Sequence, residues 1–427
     1  MQEDFLHYIW KFKKFDFRAA GTVDGEQLVI SEAGIANTGA GPDFFNARIR
    51  IGNQVWAGNV EIHIKSSHWY AHKHEEDPNY DNVILHVVWE DDIEIFRKDD
   101  SIIPTLELKD LVSKETLQTY HNLLLAPNAK WINCEDEFHK FDGFELDNWL
   151  ERMYFEKLQK KSESIKIMLQ NSENDWEAVL FRLFARNFGS RINADSFLSM
   201  AQSLDFKIIK KCTSSRLKLE AVLFGQSGML DKPFEDGYFL ELKNEYNFLR
   251  RKYGLENYGV ERPKYFRLRP DNFPNIRLSQ FADLYSSRSH LFSAVVATQT
   301  RKELHQLLSS ETSEYWKGHY NFSKPHRNRT KKLSVNFIDL VIINTIIPIQ
   351  FAWKEASGSH DNEKILDLIQ EIKAEENSII EKYNSIRPLT AQTALQSQAL
   401  LHLKNEYCDK NYCLKCNLGS RLLKGDL

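Results

Sequence analysis

Three polar side chains of different chemistry alternate along one strand-like segment near the start of this chain. Within residues 60–65 every second residue is apolar. Glu61, His63 and Lys65 are therefore predicted to project from one face of a strand, while the residues between them face the core. Because unpaired polar groups are costly to bury, such a row is expected to line a cleft. Asp43 is predicted to begin the preceding strand and to bring a second carboxylate to that cleft.

These residue types predict a hydrolytic metal site. The two carboxylates, Asp43 and Glu61, suit Mg²⁺ or Mn²⁺, which are bound through oxygen ligands. Such an ion lowers the pKa of a coordinated water and neutralises charge on a phosphate oxygen. Lys65 could orient that water or stabilise the transition state. The alternative is a solvated strand face on which Glu61 and Lys65 simply pair.

Pro42-Asp43, followed by an acidic and lysine-bearing strand, resembles the core motif of the PD-(D/E)xK nuclease superfamily. The predicted order of helix, three strands, helix and strand is similar to that fold. The resemblance implies that Asp43 is the metal-binding aspartate and Lys65 the lysine of the motif. Two positions before the lysine the superfamily has an acidic residue, where this chain has His63. Either Glu61 supplies the missing carboxylate, or His63 is itself a ligand, or the site is not catalytic.

Nearly the whole chain also resembles an uncharacterised bacterial family, a domain of unknown function without an established activity. The resemblance implies one shared architecture and leaves the function open. It rests on residues 41–44, 58–63, 220–226, 267–270 and 272–274.

Histidines are concentrated after the strand that contains His63. His68, His72 and His74 lie in the connection to the next predicted strand, and His86 interrupts the apolar run of that strand. On a helix, His72 and His74 would diverge by about 200° and could not bind one ion, whereas on an extended segment they could. His86 is either a hydrogen-bonded core residue or a general base or second metal ligand next to His63.

The C-terminal segment contains three of the five cysteines, Cys408, Cys413 and Cys416. The Cys-x2-Cys spacing is typical of thiolate Zn²⁺ sites, and either His402 or the distant Cys134 could supply a fourth ligand. An iron–sulfur cluster, a redox-active pair and free, partly buried cysteines are the other interpretations.

Two segments rich in cations, residues 262–269 and 324–332, fit the binding of a phosphate backbone with aromatic stacking. Solvated loops are the alternative. The candidate nucleic-acid-binding residues are Arg262, Lys264, Arg267, Arg269, Arg327, Arg329 and Lys331.

The overall composition is that of a globular protein without a basic character. The net charge of -4 and the pI near 6.4 mean that any nucleic-acid contact must come from a local patch. An acidic start without an apolar export signal, together with an odd number of cysteines, predicts a cytoplasmic location. The most apolar stretch, residues 333–353, contains polar residues and a proline, which favours a buried helix over a membrane span.

The fold class predicted is α+β, with an N-terminal PD-(D/E)xK-like mixed-sheet α/β core and a mainly α-helical C-terminal region. An amphipathic helix is expected in the first ~20 residues, a hairpin at Gly52-Asn53, and helical periodicity at residues 363–383. The predicted divisions are a nuclease-like domain at 1–115, a connection at 116–144 and a helical region with the cysteine cluster at 145–427. Strands are predicted at residues 28–30, 45–51, 55–65 and 83–89.

Together these patterns predict a metal-dependent nuclease that acts on DNA or RNA. In this hypothesis Asp43 and Glu61 bind Mg²⁺ or Mn²⁺, and His63 or His86 assists. The rival is a non-catalytic nucleic-acid-binding or scaffold protein with a nuclease-like fold, and a third option is a hydrolase of another phosphate substrate. The sequence does not determine the oligomeric state.

Overall fold

The computed structural model describes residues 1–37, 39–125, 130–359 and 362–425. The chain divides into two compact units, of which the first consists of Met1–Trp149 and His402–Leu427 and the second of Leu150–Leu401. The first unit contains a mixed sheet and the second is mainly helical. The mixed α/β class with a helical C-terminal region is therefore confirmed. The cysteine segment, which the sequence analysis grouped with the helical region, is in the first unit.

The sheet of the first unit has β4 as its central strand. The order is β1-β3-β4-β5-β6, with the short β2 also pairing with β3. Strands β1, β3 and β4 pair antiparallel, whereas β5 runs parallel to β4 and β6 parallel to β5. The strands are β1 (Leu28–Glu32), β2 (Ile35–Ala36), β3 (Phe44–Ile51), β4 (Gln54–Lys65), β5 (Val83–Glu90) and β6 (Thr105–Glu107), and a separate two-stranded pair consists of β7 (His319–Asn321) and β8 (Lys324–Pro325).

Helices make up most of the remaining described chain. In the first unit they are α1 (Glu3–Lys11), α2 (His68–Ala71), α3 (Lys114–Tyr120), the start of α4 (Gly143–Gln170) and α19 (Asn417–Lys424). In the second unit they are α5 (Trp176–Phe188), α6 (Ser190–Gln202), α7 (Phe206–Cys212), α8 (Arg216–Gln226), α9 (Gly237–Tyr253), α10 (Pro274–Ser286), α11 (Leu291–Ala297), α12 (Arg301–Leu308), α13 (Glu314–Lys317), α14 (Val335–Val341), α15 (Ile347–Ala356), α16 (Glu363–Gln370), α17 (Ser378–Ile386) and α18 (Ala394–His402).

The four strands predicted from alternation are all present as β1, β3, β4 and β5. The hairpin between β3 and β4 closes at the pair Ile51 and Gln54, so that Gly52-Asn53 is the predicted two-residue turn. Gly52 has a φ of +56°, a conformation that glycine adopts at little cost.

Both faces of β4 are covered at its C-terminal half. The amphipathic helix α1 packs against the strand, and α2 also contacts it. Trp69 of α2 forms an apolar cluster with Tyr80, Val83, Ile95 and Ile103. Helix α2 and the loop after it therefore cover the sheet face that carries Glu61 and His63. Because of this cover, these two polar residues are buried.

Two helical expectations are refined in the second unit. The periodic stretch 363–383 is not one helix, because α16 ends at Gln370 and α17 begins at Ser378, with an isolated bridge from Lys373 to Thr393 between them. The apolar stretch near 333–353 is helical from Val335 to Ala356. This run alone among the described residues is long and apolar enough to cross a membrane, and 72% of its most apolar window is buried.

We predict that Gly58→Ala destabilises the sheet beside the site. A Cβ atom at Gly58 on β4 would lie 2.7 Å from the Asn82 carbonyl oxygen and would also overlap Ile84 of β5. Overpacking of this kind costs about 1–3 kcal/mol, which chemical denaturation should detect. Gly237→Ala is the matched control, because nothing lies within 4 Å of a Cβ at that helix start; equal stability of the two variants would contradict the prediction.

Candidate metal centre

The centre of β4 buries a carboxylate and an imidazole side by side. Glu61 is 5% exposed and His63 1%, and Glu61 Oε1 lies 3.5 Å from His63 Nε2. Their contact confirms that the two side chains share one face of the strand. The pairing of β4 with β3 and with β5 is irregular just before Glu61, and β3 contains Asn46 at a φ of +58°. Such bulges re-aim side chains next to functional sites.

Hydrogen bonds from backbone amides fix the carboxylates of Asp43 and Glu61 next to each other. The amide of Asp43 donates to Glu61 Oε2 at 3.1 Å, and the amide of Ile62 donates to Asp43 Oδ2 at 3.0 Å. His7 of α1 places its Nε2 3.2 Å from the same Asp43 oxygen. The structure thus brings together the two carboxylates that the sequence predicted, with one oxygen of each committed to a backbone amide.

A single asparagine organises the loop that leads into Asp43. The Asn37 side-chain amide nitrogen lies within 3.1–3.3 Å of four successive carbonyl oxygens, those of residues 39–42. Its backbone amide donates to the Asp43 carbonyl at 2.7 Å. Gly41 has a φ of +98°, so the turn before Pro42 depends on glycine.

The end of α2 turns the chain so that His72 and His74 face the same side. Lys73 adopts a left-handed conformation with a φ of +60°. The Lys73 amide donates to the Tyr70 carbonyl and the His74 amide to the Trp69 carbonyl, both at 3.1 Å. This pair of hydrogen bonds is the Schellman motif, which ends a helix and reverses its direction. The divergence expected for a helix is thereby avoided.

His63, His72 and His74, the histidine cluster, converge on one point. One nitrogen of each ring lies within 4.8 Å of those of the other two. His63 Nε2 is 3.0 Å from His72 Nδ1. Glu61 Oε1 adds a carboxylate oxygen 3.3 Å from His74 Nε2, whose ring stacks on Tyr80 at 3.8 Å. His72 is exposed, and the cluster therefore has access to solvent.

His86 supports the cluster from inside the sheet. It is fully buried on β5, and its Nε2 lies 2.8 Å from His63 Nδ1. When His63 Nδ1–H donates to His86, the lone pair of His63 Nε2 is free for a metal, and such outer hydrogen bonds orient metal-binding imidazoles. His86 Nδ1 has no hydrogen-bond partner among the described residues.

Burial keeps His63 and His86 neutral and makes Glu61 easier to protonate. Desolvation, helped by the neighbouring imidazoles, holds the pKa of His63 far below its usual range and lowers that of His86 to about 3. Desolvation also raises the pKa of Glu61, although its contact with His74 opposes the shift. Neutral imidazole is the form that binds a metal ion.

The donor set fits a transition metal better than it fits Mg²⁺. Three imidazole nitrogens with one carboxylate oxygen are ligands that Zn²⁺, Fe²⁺ or Ni²⁺ accepts, whereas Mg²⁺ favours oxygen alone. The Nε2 atom of His74 is buried and makes no well-formed hydrogen bond within the described chain. A bound cation would satisfy that atom, so the residues present fit such an ion.

Lys65, at the end of β4, forms its ion pairs with Glu90 and Asp92 rather than with Asp43 or Glu61. Its ammonium is 3.6 Å from Glu90 and 3.7 Å from Asp92. Asp92 in turn accepts from the amide and the hydroxyl of Ser67, at the start of α2, at 2.9 Å. Lys65 thus pairs with neighbouring acids at the junction of strand and helix.

The predicted nucleic-acid-binding residues belong to the second unit. Their two segments border one cavity of about 440 Å³, which is lined in part by Arg262, Tyr265 and Lys324. Arg262 forms a 2.5 Å ion pair with Asp231, and Arg329 pairs with Asp271. Lys264, Arg267, Arg269 and Arg327 are exposed as well.

Lys331 differs from the other predicted cations. It is only 4% exposed, and its ammonium donates to the backbone carbonyls of Trp316, Lys317 and His319. Lys331 therefore faces the interior of the second unit and holds the α13–β7 turn.

The cysteines of the C-terminal segment lie near Cys134 in the first unit. The Asn133 side chain donates to Cys413 Sγ at 3.4 Å and to the Asn411 side chain at 3.1 Å. His402, the other predicted fourth ligand, is buried at the end of α18. These cysteines are not joined by disulfide bonds in the described structure.

Comparison with known proteins places the chain in one family. Residues 3–378 match the model of a family described as a protein of unknown function (DUF2851). The chain belongs to this family. No curated protein and no solved structure matches it. The DUF2851 match supports the predicted whole-chain resemblance, while the nuclease-like core is not confirmed. The match includes the whole histidine cluster and ends before the cysteine segment.

Three supporting residues of this DUF2851 protein were missed from sequence. His7 lies on the amphipathic α1, and only its position opposite the apolar stripe could have signalled it. Asn37 orders the turn before Asp43, and Tyr80 stacks on the His74 ring. The spacing of residues along the sequence predicts neither contact. The sequence does not predict that His72 and His74 belong to the site, because it does not reveal the left-handed conformation of Lys73.

We predict that His86→Phe weakens Zn²⁺ binding by about 10–100-fold, the usual effect of losing an outer hydrogen bond to a metal-binding histidine. Isothermal titration calorimetry with Zn²⁺ would measure it. His121→Ala, which removes an exposed histidine of the same unit, is the control and should bind as the unmodified protein does. Unchanged affinity in a folded His86→Phe protein would show that His86 does not orient the cluster.

Proposed function

We propose that this protein is a metal-dependent hydrolase of phosphodiester bonds, with nucleic acid as its substrate. The observation that carries the proposal is the convergence of the histidine cluster with Glu61 on a partly open site. Three imidazoles with an accessible face are typical of hydrolytic rather than purely structural metal sites.

The metal assigned by this proposal is a transition ion, and Zn²⁺ or Mn²⁺ is the first choice for testing. His63, His72 and His74 would hold it, with Asp43 as the candidate oxygen ligand and Glu61 left to act on water. When bound, such an ion supplies Lewis-acid chemistry, which activates water and neutralises phosphate charge. Mn²⁺ is included because it also binds carboxylate oxygens, which are the ligands that the sequence predicts.

The chain's own residues have separable roles. Glu61 is the candidate general base, because burial raises its pKa and its Oε1 lies beside the cluster. Asp43 positions Glu61 through its backbone amide, and His86 positions His63. Lys65, paired with Glu90 and Asp92, would have to leave both acids to reach a substrate.

Nucleic acid is favoured as the substrate by the exposed cations of the second unit. Residues 262–269 combine Lys264, Arg267 and Arg269 with two aromatic residues, and the Arg267 guanidinium lies over the Phe266 ring at 5.2 Å. Buried Asn193 fixes this segment, because its side chain bonds both the amide and the carbonyl of Lys264, at 2.7 and 2.9 Å. A fixed row of cations next to an exposed ring suits a phosphate backbone.

A second candidate, a non-catalytic nucleic-acid-binding protein, is favoured by one observation. His63 occupies the position of the motif's acidic residue, and Lys65 is ion-paired away from the carboxylates. A nuclease-like protein that had lost its original chemistry would have this pattern. The two candidates differ in whether metal-dependent cleavage occurs at all.

We predict that Glu61→Gln lowers the cleavage rate by about 10²–10⁴-fold, the usual contribution of a general base, with Zn²⁺ binding within severalfold of the original. His74→Ala should lose both metal binding and cleavage. The assay is the hydrolysis of labelled single- and double-stranded DNA and RNA with added Zn²⁺ or Mn²⁺. Lys65→Ala, a surface change on the same strand, is the matched control and should retain activity.

The outcomes separate the two candidates. Binding of nucleic acid without cleavage under any of these metals would support the non-catalytic protein. Cleavage that survives His74→Ala would sink the assignment of the metal centre. If Lys65→Ala were as inactive as Glu61→Gln, the lysine of the motif would have its usual role after all.

We also predict that binding to DNA or RNA weakens steeply as salt rises. Arg267→Ala and Arg269→Ala should each reduce the salt slope by about 1, because each removes one phosphate contact. Fluorescence anisotropy at several salt concentrations measures this slope. The control is Lys364→Ala, an exposed cation outside both segments and outside the cavity that they border; an equal effect there would point to unspecific charge attraction.

A further inference from the structure

The first unit is assembled from two distant pieces of chain, and cysteines lie where the pieces meet. Residues Met1–Trp149 and His402–Leu427 form one compact unit. Four of the five cysteines are in these two pieces, namely Cys134 in the first and Cys408, Cys413 and Cys416 in the second. The remaining one, Cys212, is buried in the second unit.

A contact joins the segment of Cys134 to the C-terminal cysteines. The side chain of Asn133, the neighbour of Cys134, donates to Cys413 Sγ at 3.4 Å and to the Asn411 side chain at 3.1 Å. Cys134 also interacts electrostatically with Cys408, Cys413 and Cys416. The segment of Cys134 therefore packs against the turn that contains Cys413.

The Cys413–Cys416 segment has the local form of a metal-binding turn. The Cys416 amide donates to the Cys413 carbonyl at 3.2 Å, which closes the turn. Cys416 then begins α19, and the amides of Leu418 and Gly419 hydrogen-bond its sulfur. Burial disfavours the thiolate form of Cys416, and these amides offset part of that cost. A side chain at Gly419 would overlap the Cys413 carbonyl, so the turn packs directly on the helix.

We propose that Cys134, Cys408, Cys413 and Cys416 form a tetrathiolate metal centre that joins the C-terminal segment to the first unit. Four thiols from the two pieces of chain, of which that of Cys416 is buried and the others are partly buried, are the ligand set of a closed structural Zn²⁺ site or of an iron–sulfur cluster. Both share thiolate coordination, which offsets the cost of burying the charged sulfurs. The centre is separate from the histidine cluster and does not depend on the proposed hydrolase function.

The experiment is metal analysis of the full-length protein purified without oxygen or chelator. The protein is expected to contain thiolate-bound metal, either one Zn²⁺ or iron with acid-labile sulfide and the visible absorbance of a cluster. In Cys134→Ser that metal is lost. Cys212→Ser, which changes a buried cysteine outside the group, and His74→Ala, which changes the other centre, should both retain it.

A second measurement covers the case in which Cys134→Ser fails to fold. Titration of the unmodified protein with a mercurial reagent should release the metal as four thiols react, and trypsin should then cut the C-terminal segment at Lys404, Lys410 or Lys415 faster than before. Metal-free protein whose thiols react without any such release would overturn the proposal. So would a metal content that is equal in the unmodified protein and a folded Cys134→Ser protein.

Discussion

The burial of Glu61 on the central strand is the constraint on which the first unit depends. A carboxylate inside a sheet is costly unless charged or hydrogen-bonding groups surround it. Around Glu61 the chain places the Asp43 amide, His63 and His74, each from a different element. The β-bulge in β3, the reversal after α2 and the ordered loop before Asp43 all bring a partner to this one side chain. The site and the fold therefore have a common origin.

A line of imidazoles extends this constraint into the sheet. His72, His63 and His86 contact one another in sequence at 3.0 and 2.8 Å. Because each neutral ring donates at one nitrogen and accepts at the other, the orientation of one ring determines the next. A change in the ring orientation of the exposed His72 is thus communicated to His86, a residue with no solvent contact.

Alternation along β4 was sufficient to predict the strand and its polar face, because side chains that alternate with a period of two residues point to opposite faces. The position of Asp43 at the start of the preceding strand predicted its proximity. The three-histidine arrangement was not predictable, since it depends on the left-handed Lys73, a conformation that lysine rarely adopts. The sequence does not predict the break in the helix expected at 363–383, because no glycine or proline lies within residues 371–377. The burial of Lys331 was equally hidden, since a lysine within a cationic segment gives no sign of three carbonyl partners.

The discontinuous first unit has a consequence for how the protein is made. Its sheet is synthesised before the second unit, whereas α19 follows that unit in the chain. The second unit is encoded without interruption and can fold as soon as it emerges. The first unit must wait for contacts between residues 412 positions apart, such as the Tyr8 hydroxyl and Ser420, whose large sequence separation slows folding. Until the second unit has been synthesised, the sheet therefore lacks the C-terminal part of its own unit.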